Sequence, residues 1–404
     1  MNERARTRLA AATLLAIGTL ACSPPPPPSM AAPEAIPTQE VGKRALFGYK
    51  VAVSDDQIAV GAPHAKVAGY RKAGTVLLFD RATLALQRKI DAPDPTDGAL
   101  FGFSLDLQGD RLLVGAVGHE TAGVALAGAA YLFDSNTGRL LHSFAESPPL
   151  AKAEFGSTVT FAGSALVIGS PASTVDGKTR AGAAYQFDAS TGQRMHVFRR
   201  PQKDLVLGQA LAFGAGRVLV GAPAATVNGV AHAGQVFAFD PATAKLTRTF
   251  EEPVPGAGST FGAAIATDDD TVVIGAPNAF DRAGAAYVYD LESGALLHRL
   301  HEGLSLEDDG MFGYSLALLE NEIAVGAPHT TVKGIPGSGA VYLFDRTSGR
   351  LVNRLTVRPV GGADLGISVA AEGGALFSSA QGGPEGGTVY VSREPRRTAP
   401  PPES

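Results

Sequence analysis

Short apolar runs recur along the chain, and each is bounded by turn-forming residues. The clearest runs lie at 58–60, 112–114, 166–168, 218–220, 272–274 and 323–325. They are too short for buried helices and are rich in Val, Ile and Leu, so they predict strands. A strand that is apolar at successive positions is covered on both of its faces. The pattern therefore predicts small sheets packed face to face.

The apolar runs belong to a repeat with a period of 51 to 54 residues. Each copy begins with a Phe-Gly or Leu-Gly pair, and a Gly-Ala-Pro-like triplet follows fourteen residues later. The pairs begin at Phe47, Phe101, Phe155, Leu207, Phe261, Phe312 and Leu365, and the triplets at Gly61, Gly115, Gly169, Gly221, Gly275, Gly326 and, degenerately, Ser379. So regular a period indicates one supersecondary unit copied around an array.

Each copy contains four predicted strands joined by turns. In the first copy these strands lie at 48–53, 58–62, 75–79 and 86–90. Glycine-containing tight turns between the first and second strands of later copies are typical of hairpins. Seven sheets of four antiparallel strands, each covered by its neighbours, predict an all-β fold, the seven-bladed β-propeller.

The seventh copy ends after its third strand, at 388–391. Segment 32–36 lies as far before Phe47 as 86–90 lies before Phe101, so it is a candidate for the missing outer strand. Pairing of this segment would close the ring without a covalent link. Pro33 and Pro37 argue against a strand, although an outer edge strand tolerates proline, so the sequence leaves the closure open.

The first 22 residues have the features of an export signal. Arg4, Arg6 and Arg8 precede an apolar run at 9–20, which is shorter than the roughly 20 residues that span a bilayer. Cys22, the single cysteine of the chain, follows this run and resembles the lipidated cysteine of bacterial lipoproteins. Thr19 stands where that family prefers leucine, so an ordinary secretory signal is the alternative. We expect Cys22 to carry a lipid anchor.

The expected domain organisation follows from these features. Residues 1–22 are expected to be a lipoprotein-type signal peptide, 23–40 a Pro- and Ala-rich tether, 41–393 the propeller and 394–404 a disordered Pro-rich tail. The expected product is an exported lipoprotein of the bacterial outer membrane or cell surface, with the periplasmic side as an alternative. The N-terminal lipid is the expected membrane contact.

Composition narrows the chemistry. The net charge of −5 argues against nucleic acid as a partner. Apart from Cys22, the sequence has no cysteine for a disulfide, a metal site or thiol catalysis. It also shows no phosphate-binding loop and no Ser/His/Asp arrangement, so neither a cofactor nor a metal is expected.

The Phe-Gly pairs and Gly-Ala-Pro triplets, in this register, resemble the FG-GAP repeat of integrin α-subunit propellers and their bacterial relatives. The resemblance covers residues 41–393, and full triplets begin at Gly61, Gly221, Gly275 and Gly326. It implies a propeller and, by analogy with integrins, ligand binding on one face of the disc. A fold alone does not carry a function.

Calcium-binding copies of that repeat carry an Asp-rich loop between their first two strands, whose oxygen atoms surround the ion. All seven copies here keep the fourteen-residue spacing, which leaves no room for such a loop. Calcium is therefore not expected as a partner. Asp268, Asp269 and Asp270 form the nearest acidic cluster, and we interpret it as a solvated turn.

Polar residues also recur on the fourth strands. His142, His196 and His298 lie eight residues after recurrent aspartates, and Arg88, Arg248 and Asn353 take the same place in other copies. A polar residue at one place in every copy favours a structural role over a ligand role. The aspartates themselves precede Thr-Gly or Ser-Gly, which predicts turns closed by carboxylate-to-amide hydrogen bonds.

The long loops after the second strands, at 64–73, 118–127, 172–181, 224–233, 278–283 and 329–338, are predicted to open on one face together with the connections between copies. Their polar and aromatic residues are the candidate ligand-binding set. This set is His64, Tyr70, Arg71, His119, Glu120, Arg180, His232, Asp281, Arg282, His329 and Lys333. His64 and His119 lie in neighbouring copies and are candidates for a close pair, although loop polarity is the simpler interpretation.

Three functional hypotheses remain. The first is a non-enzymatic, envelope-anchored binding or scaffold protein that presents this face to a protein or glycan partner. The second is an enzyme, a hydrolase or lyase, with its site over the central channel. The third is a structural module of an envelope complex, bound through the blade sides, which exposed apolar residues on the fourth strands would favour.

Overall fold

A computed structural model describes residues 30–36, 41–42, 44–200, 202–300, 309–382 and 386–393. The described residues do not include the expected signal peptide, Cys22, most of the expected tether or the expected tail. The described residues include no helix, and so none that is long and apolar enough to cross a membrane.

The predicted seven-bladed propeller is confirmed. Seven four-stranded antiparallel sheets form the blades, and the first strand of each blade contacts the first strands of both neighbours around the ring. The innermost strands are β2 (Val51–Val53), β6 (Phe101–Gln108), β10 (Thr158–Ala162), β14 (Leu211–Gly214), β18 (Ala264–Thr267), β22 (Ser315–Leu318) and β26 (Val369–Glu372). The second strands are β3 (Gln57–Ala62), β7 (Arg111–Ala116), β11 (Ala165–Ser170), β15 (Arg217–Ala222), β19 (Thr271–Ala276), β23 (Glu322–Ala327) and β27 (Ala375–Ala380).

The outer half of each blade is a second hairpin. The third strands are β4 (Thr75–Asp80), β8 (Ala129–Asp134), β12 (Ala183–Asp188), β16 (Gln235–Phe239), β20 (Ala285–Asp290), β24 (Ala340–Asp345) and β28 (Thr388–Arg393). The outermost strands are β5 (Leu86–Asp91), β9 (Leu140–Phe144), β13 (Arg194–Arg199), β17 (Leu246–Glu251), β21 (Leu296–Arg299), β25 (Leu351–Leu355) and β1 (Glu34–Ala35). The register is regular, with Ile58 opposite Phe79 and Gly61 opposite Val76 in blade 1.

The hydrophobic core lies between the blades. One cluster joins Val76 and Leu78 of blade 1 to Phe101, Leu112 and Tyr131 of blade 2, all of them buried. The Phe101 ring lies 5.7 Å from the Tyr131 ring, centroid to centroid, in a tilted arrangement favoured by aromatic pairs. Because each second and third strand is covered by a blade on either side, the strands read as continuous apolar runs in the sequence.

The N-terminal segment closes the seventh blade. Strand β1 pairs antiparallel with β28, with Glu34 opposite Val391 and Ala35 opposite Tyr390. Ile36 N donates to Val389 O at 2.8 Å, and the Ile36 side chain is only 1 % exposed. The propeller therefore begins before residue 41, and part of the segment that we assigned to the tether belongs to the fold.

The outer hairpins lock each blade to the next. Asp188 Oδ1 accepts a hydrogen bond from Thr191 N at 2.8 Å, and Gly192 has a φ of 71°, as the turn prediction requires. His142 of the preceding blade donates from Nε2 to Ser190 O of this turn at 3.0 Å. Arg88 and Arg248 make the same type of bond to the turns that follow them. These contacts support the structural interpretation of the recurrent polar position.

The Asp-rich turn makes more contacts than the solvated turn that we predicted. Asp268 Oδ1 accepts hydrogen bonds from the backbone amides of Asp270 and Thr271. Its Oδ2 pairs with Arg346 Nη2 of the next blade at 2.5 Å. Asp268 therefore serves as a clamp between blades 5 and 6.

Candidate functional site

The loops after the second strands and the connections between blades share one face, which we call the loop face. Because strands alternate in direction, both kinds of segment meet at the same end of each blade. Gly98 N donates to Arg71 O at 2.9 Å, and Leu100 N donates to Lys72 O at 3.0 Å. Equivalent bonds join Arg180 O to Val206 N and His232 O to Thr260 N. Each loop is therefore fixed to the blade that follows it.

Five of these loops contain the same tight turn. In the first loop Val67 and Tyr70 form a small antiparallel bridge around Ala68 and Gly69, whose φ angles are 49° and 97°. Positive φ at both central positions is the signature of a type I′ turn. The equivalent central pairs begin at Ala122, Asp176, Asn228 and Lys333. The loop of blade 5 is shorter and has positive φ at three successive residues, Phe280, Asp281 and Arg282.

All eleven predicted ligand-binding residues lie on the loop face, but they do not converge on one pocket. The exposed members are Tyr70, Arg71, Glu120, Arg180, His232, Asp281, Arg282 and Lys333. The half-buried members are His64, His119 and His329. Five members, Arg180, His232, Asp281, Arg282 and Lys333, have positive φ, so the loop backbone determines where these side chains project.

The three histidines of the set have different surroundings. Burial lowers the pKa of His64, and nearby Lys72 lowers it further. Burial also lowers the pKa of His119, whose ring packs edge-on at 6.1 Å from the Tyr131 ring. No hydrogen bond or ring contact joins His64 to His119 among the described residues. Within the same residues, no three His, Cys, Asp or Glu side chains are grouped so as to hold a metal ion.

A central channel opens at the middle of the loop face. Its mouth is formed by the residue that directly follows each Phe-Gly or Leu-Gly pair, namely Tyr49, Phe103, Ser157, Gln209, Ala263, Tyr314 and Ile367. The cavity has a volume of about 200 Å³. Blades 6, 7, 1 and 2 contribute aromatic or apolar side chains to the mouth, whereas blades 3, 4 and 5 contribute small or polar ones.

Two charged residues of the channel are absent from the predicted set. Lys50 follows Tyr49 and lines the channel, and Asp106 lies nearby on β6. The positions equivalent to Lys50 hold Ser104, Thr158, Ala210, Ala264, Ser315 and Ser368. Alignment of the seven copies reveals Lys50 as the one charged residue at that place, and this is the sequence signal that could have identified it.

The geometry of the repeat agrees with a comparison of the sequence with known families. A family model of the FG-GAP repeat matches residues 85–133 and 255–289. The chain thus contains FG-GAP repeats in these two segments. The two matched segments contain the pairs at Phe101 and Phe261 and the triplets at Gly115 and Gly275. Among curated proteins, no sequence matches the chain.

The paired glycines of the FG-GAP repeat meet between blades. A Cβ atom placed on Gly61 of blade 1 would lie 2.1 Å from the carbonyl oxygen of Gly102 in blade 2. Gly115 faces Gly156 in the same way, and Gly221 faces Gly262. Both halves of the motif are therefore needed for close approach of two backbones.

Apart from Tyr314 at the channel mouth, the exposed large apolar side chains of the described residues fall into two sets. Tyr70, Leu126, Val254, Phe280 and Ile335 lie on the loop face. The other set lies on the outermost strands, which form the rim, and includes Leu86, Leu140, Met195, Leu246, Leu297 and Leu351. Both are potential contact surfaces, because large apolar side chains at a surface favour a partner.

Proposed function

We propose that this FG-GAP propeller is a non-enzymatic binding or scaffold protein that presents its loop face to a protein or glycan partner. The supporting observation is that five loops share one turn geometry, with Gly at the second turn position, while the first turn residue varies between Ala, Asp, Asn and Lys. The first turn residues are Ala68, Ala122, Asp176, Asn228 and Lys333. A constant backbone with variable tips is how rigid scaffolds carry recognition loops.

The composition of the loop face favours a protein over a glycan. Tyr70 is 45 % exposed and Phe280 is 49 % exposed, and exposed charged residues follow each of them in its own loop, Arg71 and Lys72 after Tyr70, and Asp281 and Arg282 after Phe280. Aromatic anchors within a polar rim are typical of protein interfaces. Because the loops are bonded to the next blade, they lose little conformational freedom on binding.

We further propose that the protein is anchored to the bacterial envelope through Cys22. The support comes from the sequence alone, from the basic start, the apolar run and the isolated cysteine. Metabolic labelling with a fatty-acid analogue, followed by fractionation, tests this. Label should be lost in Cys22→Ala, and retention of label in that variant would overturn the anchor.

Site-specific photo-crosslinking in the native cell tests the binding function. Photoreactive residues at Tyr70, Phe280 and Lys333 sample the loop face. Matched probes at Leu140 and Leu246 sample the rim, and Asp110 samples the opposite face. Unlike Arg88 and Arg248, these control positions do not hold the turn of a neighbouring blade, so their substitution leaves the ring intact.

Capture of one protein from the loop-face probes alone supports the proposal. A glycan partner would instead be detected as loss of cell-wall or glycan-array binding when Tyr70 and Phe280 are both changed to Ser. If neither capture nor glycan binding depends on the loop face, the proposal is wrong.

The rim offers a second candidate function, a structural module held through the blade sides. Six of the seven outermost strands, all except β1, carry one exposed Leu or Met each. Capture from Leu140 and Leu246 alone would favour this function over the first.

A further inference from the structure

The mouth of the central channel combines a cation with an aromatic wall. Tyr49 and Phe103 pack against each other with ring centroids 4.7 Å apart, and Lys50 follows Tyr49 on the innermost strand. Ser157 of blade 3 and Gln209 of blade 4 continue the channel lining beyond Phe103. Both a charged group and an apolar surface therefore face one small space.

Lys50 replaces a structural hydroxyl. In blades 2, 3 and 6 the equivalent Ser104, Thr158 and Ser315 donate to the glycine carbonyl of the next blade at 2.6 to 2.8 Å. The Lys50 side chain makes no hydrogen bond and no ion pair within 4.0 Å to any residue that the structure describes. Blade 1 therefore loses an inter-blade bond and gains an amine that is open to the channel.

The amine lacks a compensating anion. The Lys50 side chain is exposed to solvent in the channel; desolvation by the surrounding blades lowers the pKa of its amine, whereas the charge of Asp106 acts in the opposite direction. The Asp106 carboxylate is already engaged, because Oδ1 accepts from Leu107 N at 2.9 Å and Oδ2 accepts from Phe161 N at 2.8 Å. The Lys50 ammonium therefore has no close anionic partner among the described residues and is accessible to an anion that enters the channel.

A second polar group in the channel is also unsatisfied. Ser157 is only 6 % exposed, and its Oγ has no hydrogen-bond partner among the described residues. The Oγ atom is itself inaccessible to solvent, so Ser157 adds a polar lining residue but no direct bond to a ligand. The cavity, at about 200 Å³, is larger than the engineered cavity of about 150 Å³ that takes up benzene.

We propose that the channel mouth binds a small organic carboxylate, whose charged group pairs with the Lys50 ammonium and whose flat apolar face lies against Tyr49 and Phe103. This site is separate from the partner surface on the loops, and its occupancy does not depend on the proposed function.

Ligand-observed NMR with the full chain tests the site. The probes are benzoate, its neutral analogue benzamide, and inorganic phosphate. Benzoate should bind most tightly, because only benzoate combines a carboxylate with an apolar ring. Phosphate binding as tight as that of benzoate would overturn the assignment to a carboxylate with an apolar body.

Variants then locate the interaction. Lys50→Met should weaken benzoate binding about tenfold or more, since a charge-assisted bond is lost. Lys50→Arg should retain binding, and Lys245→Met, an exposed change on the opposite face, should leave it unchanged. Thermal unfolding of each variant verifies folding. Equal benzoate affinity in Lys50→Met and the parent, or no benzoate binding by the parent, would overturn the proposal.

Discussion

At the scale of single residues, the repeated motif is explained by backbone contact. The glycine of each Gly-Ala-Pro triplet lies against the glycine of the next Phe-Gly pair, and the glycine of that pair has a φ between 85° and 95° throughout the ring. A side chain on the triplet glycine would collide with a carbonyl oxygen. A side chain on the glycine of the Phe-Gly pair would require a backbone conformation that only glycine adopts without strain. The motif is therefore structural wherever it occurs.

Gly221→Ala should destabilise the protein by about 2 kcal/mol or more, because the new Cβ would lie 2.1 Å from Gly262 O, a backbone atom that cannot turn away. Chemical unfolding measures the change. Gly42→Ala is the matched control, since nothing lies within 4 Å of its Cβ, and it should stay within about 0.5 kcal/mol of the parent. Equal stability of the two variants would show that the blades can separate at little cost.

Glu146 is a second residue whose environment decides its behaviour. It is 8 % exposed at the junction of blades 2 and 3, where Tyr185 Oη and Ser173 Oγ donate hydrogen bonds to its carboxylate. Burial raises the pKa of this carboxyl, and the hydrogen bonds from Tyr185 and Ser173 oppose the shift. Glu252 makes the corresponding bond to Tyr287 at the junction of blades 4 and 5.

The raised pKa of Glu146 predicts a pH-dependent stability difference. The folded state holds its proton to a higher pH than the unfolded state, so this stabilisation is complete below the unfolded pKa and is lost as the pH rises through the folded pKa. The free energy of unfolding of Glu146→Gln, relative to the parent, should therefore increase between pH 4.5 and 7.5. Exposed Glu320→Gln should show no such trend. A flat difference for Glu146→Gln would contradict the prediction.

At the scale of elements, patterning predicted nearly every strand but left the shortest one undecided. Apolar runs predicted the second strands, and the repeat then placed the other strands of each copy at fixed points of the period. Strand β1 has two residues, both exposed, and Pro33 precedes it. Neither periodicity nor propensity identifies such a strand, and only its pairing with β28 defines it.

Ile36→Ala should lower the free energy of unfolding by about 2 to 4 kcal/mol, because the Ile36 side chain is buried in the cluster that joins blades 1 and 7. Glu34→Ala, which removes only the exposed ion pair with Arg393, should change it by less than about 1 kcal/mol. If Ile36→Ala is as stable as Glu34→Ala, the N-terminal segment does not close the ring in solution.

At the scale of the whole molecule, one of the seven junctions differs from the others. The seventh blade is closed by strand pairing between β1 and β28. At the same junction Ser379 takes the place of the glycine that faces the next Phe-Gly pair, and its Cβ lies 2.9 Å from the position of a Cβ on Gly48. At the junction between blades 7 and 1 a serine side chain therefore lies where the other six junctions have glycine against glycine.

Hydrogen exchange followed by mass spectrometry should show this difference. We expect the amides of β27, β28 and β3 to exchange faster than those of β15, β16 and β19, because local opening begins where the fewest contacts hold. Both sets of amides belong to the same molecule, so the strands of blades 4 and 5 are the reference for those of blades 7 and 1. Uniform protection around the ring would contradict the expectation.

The sequence by itself determined the repeat, the number of blades, the order of strands and the face on which the candidate loops lie. These follow from local patterns, because strand burial, turn chemistry and glycine spacing are all encoded within one period. The tertiary structure alone decided which residues meet across blades. Lys50, Ser157 and Asp106 come from three different copies, so the channel exists only when the ring is closed. The sequence also gave no sign that Asp268 pairs with Arg346, because their 78-residue separation crosses a blade junction.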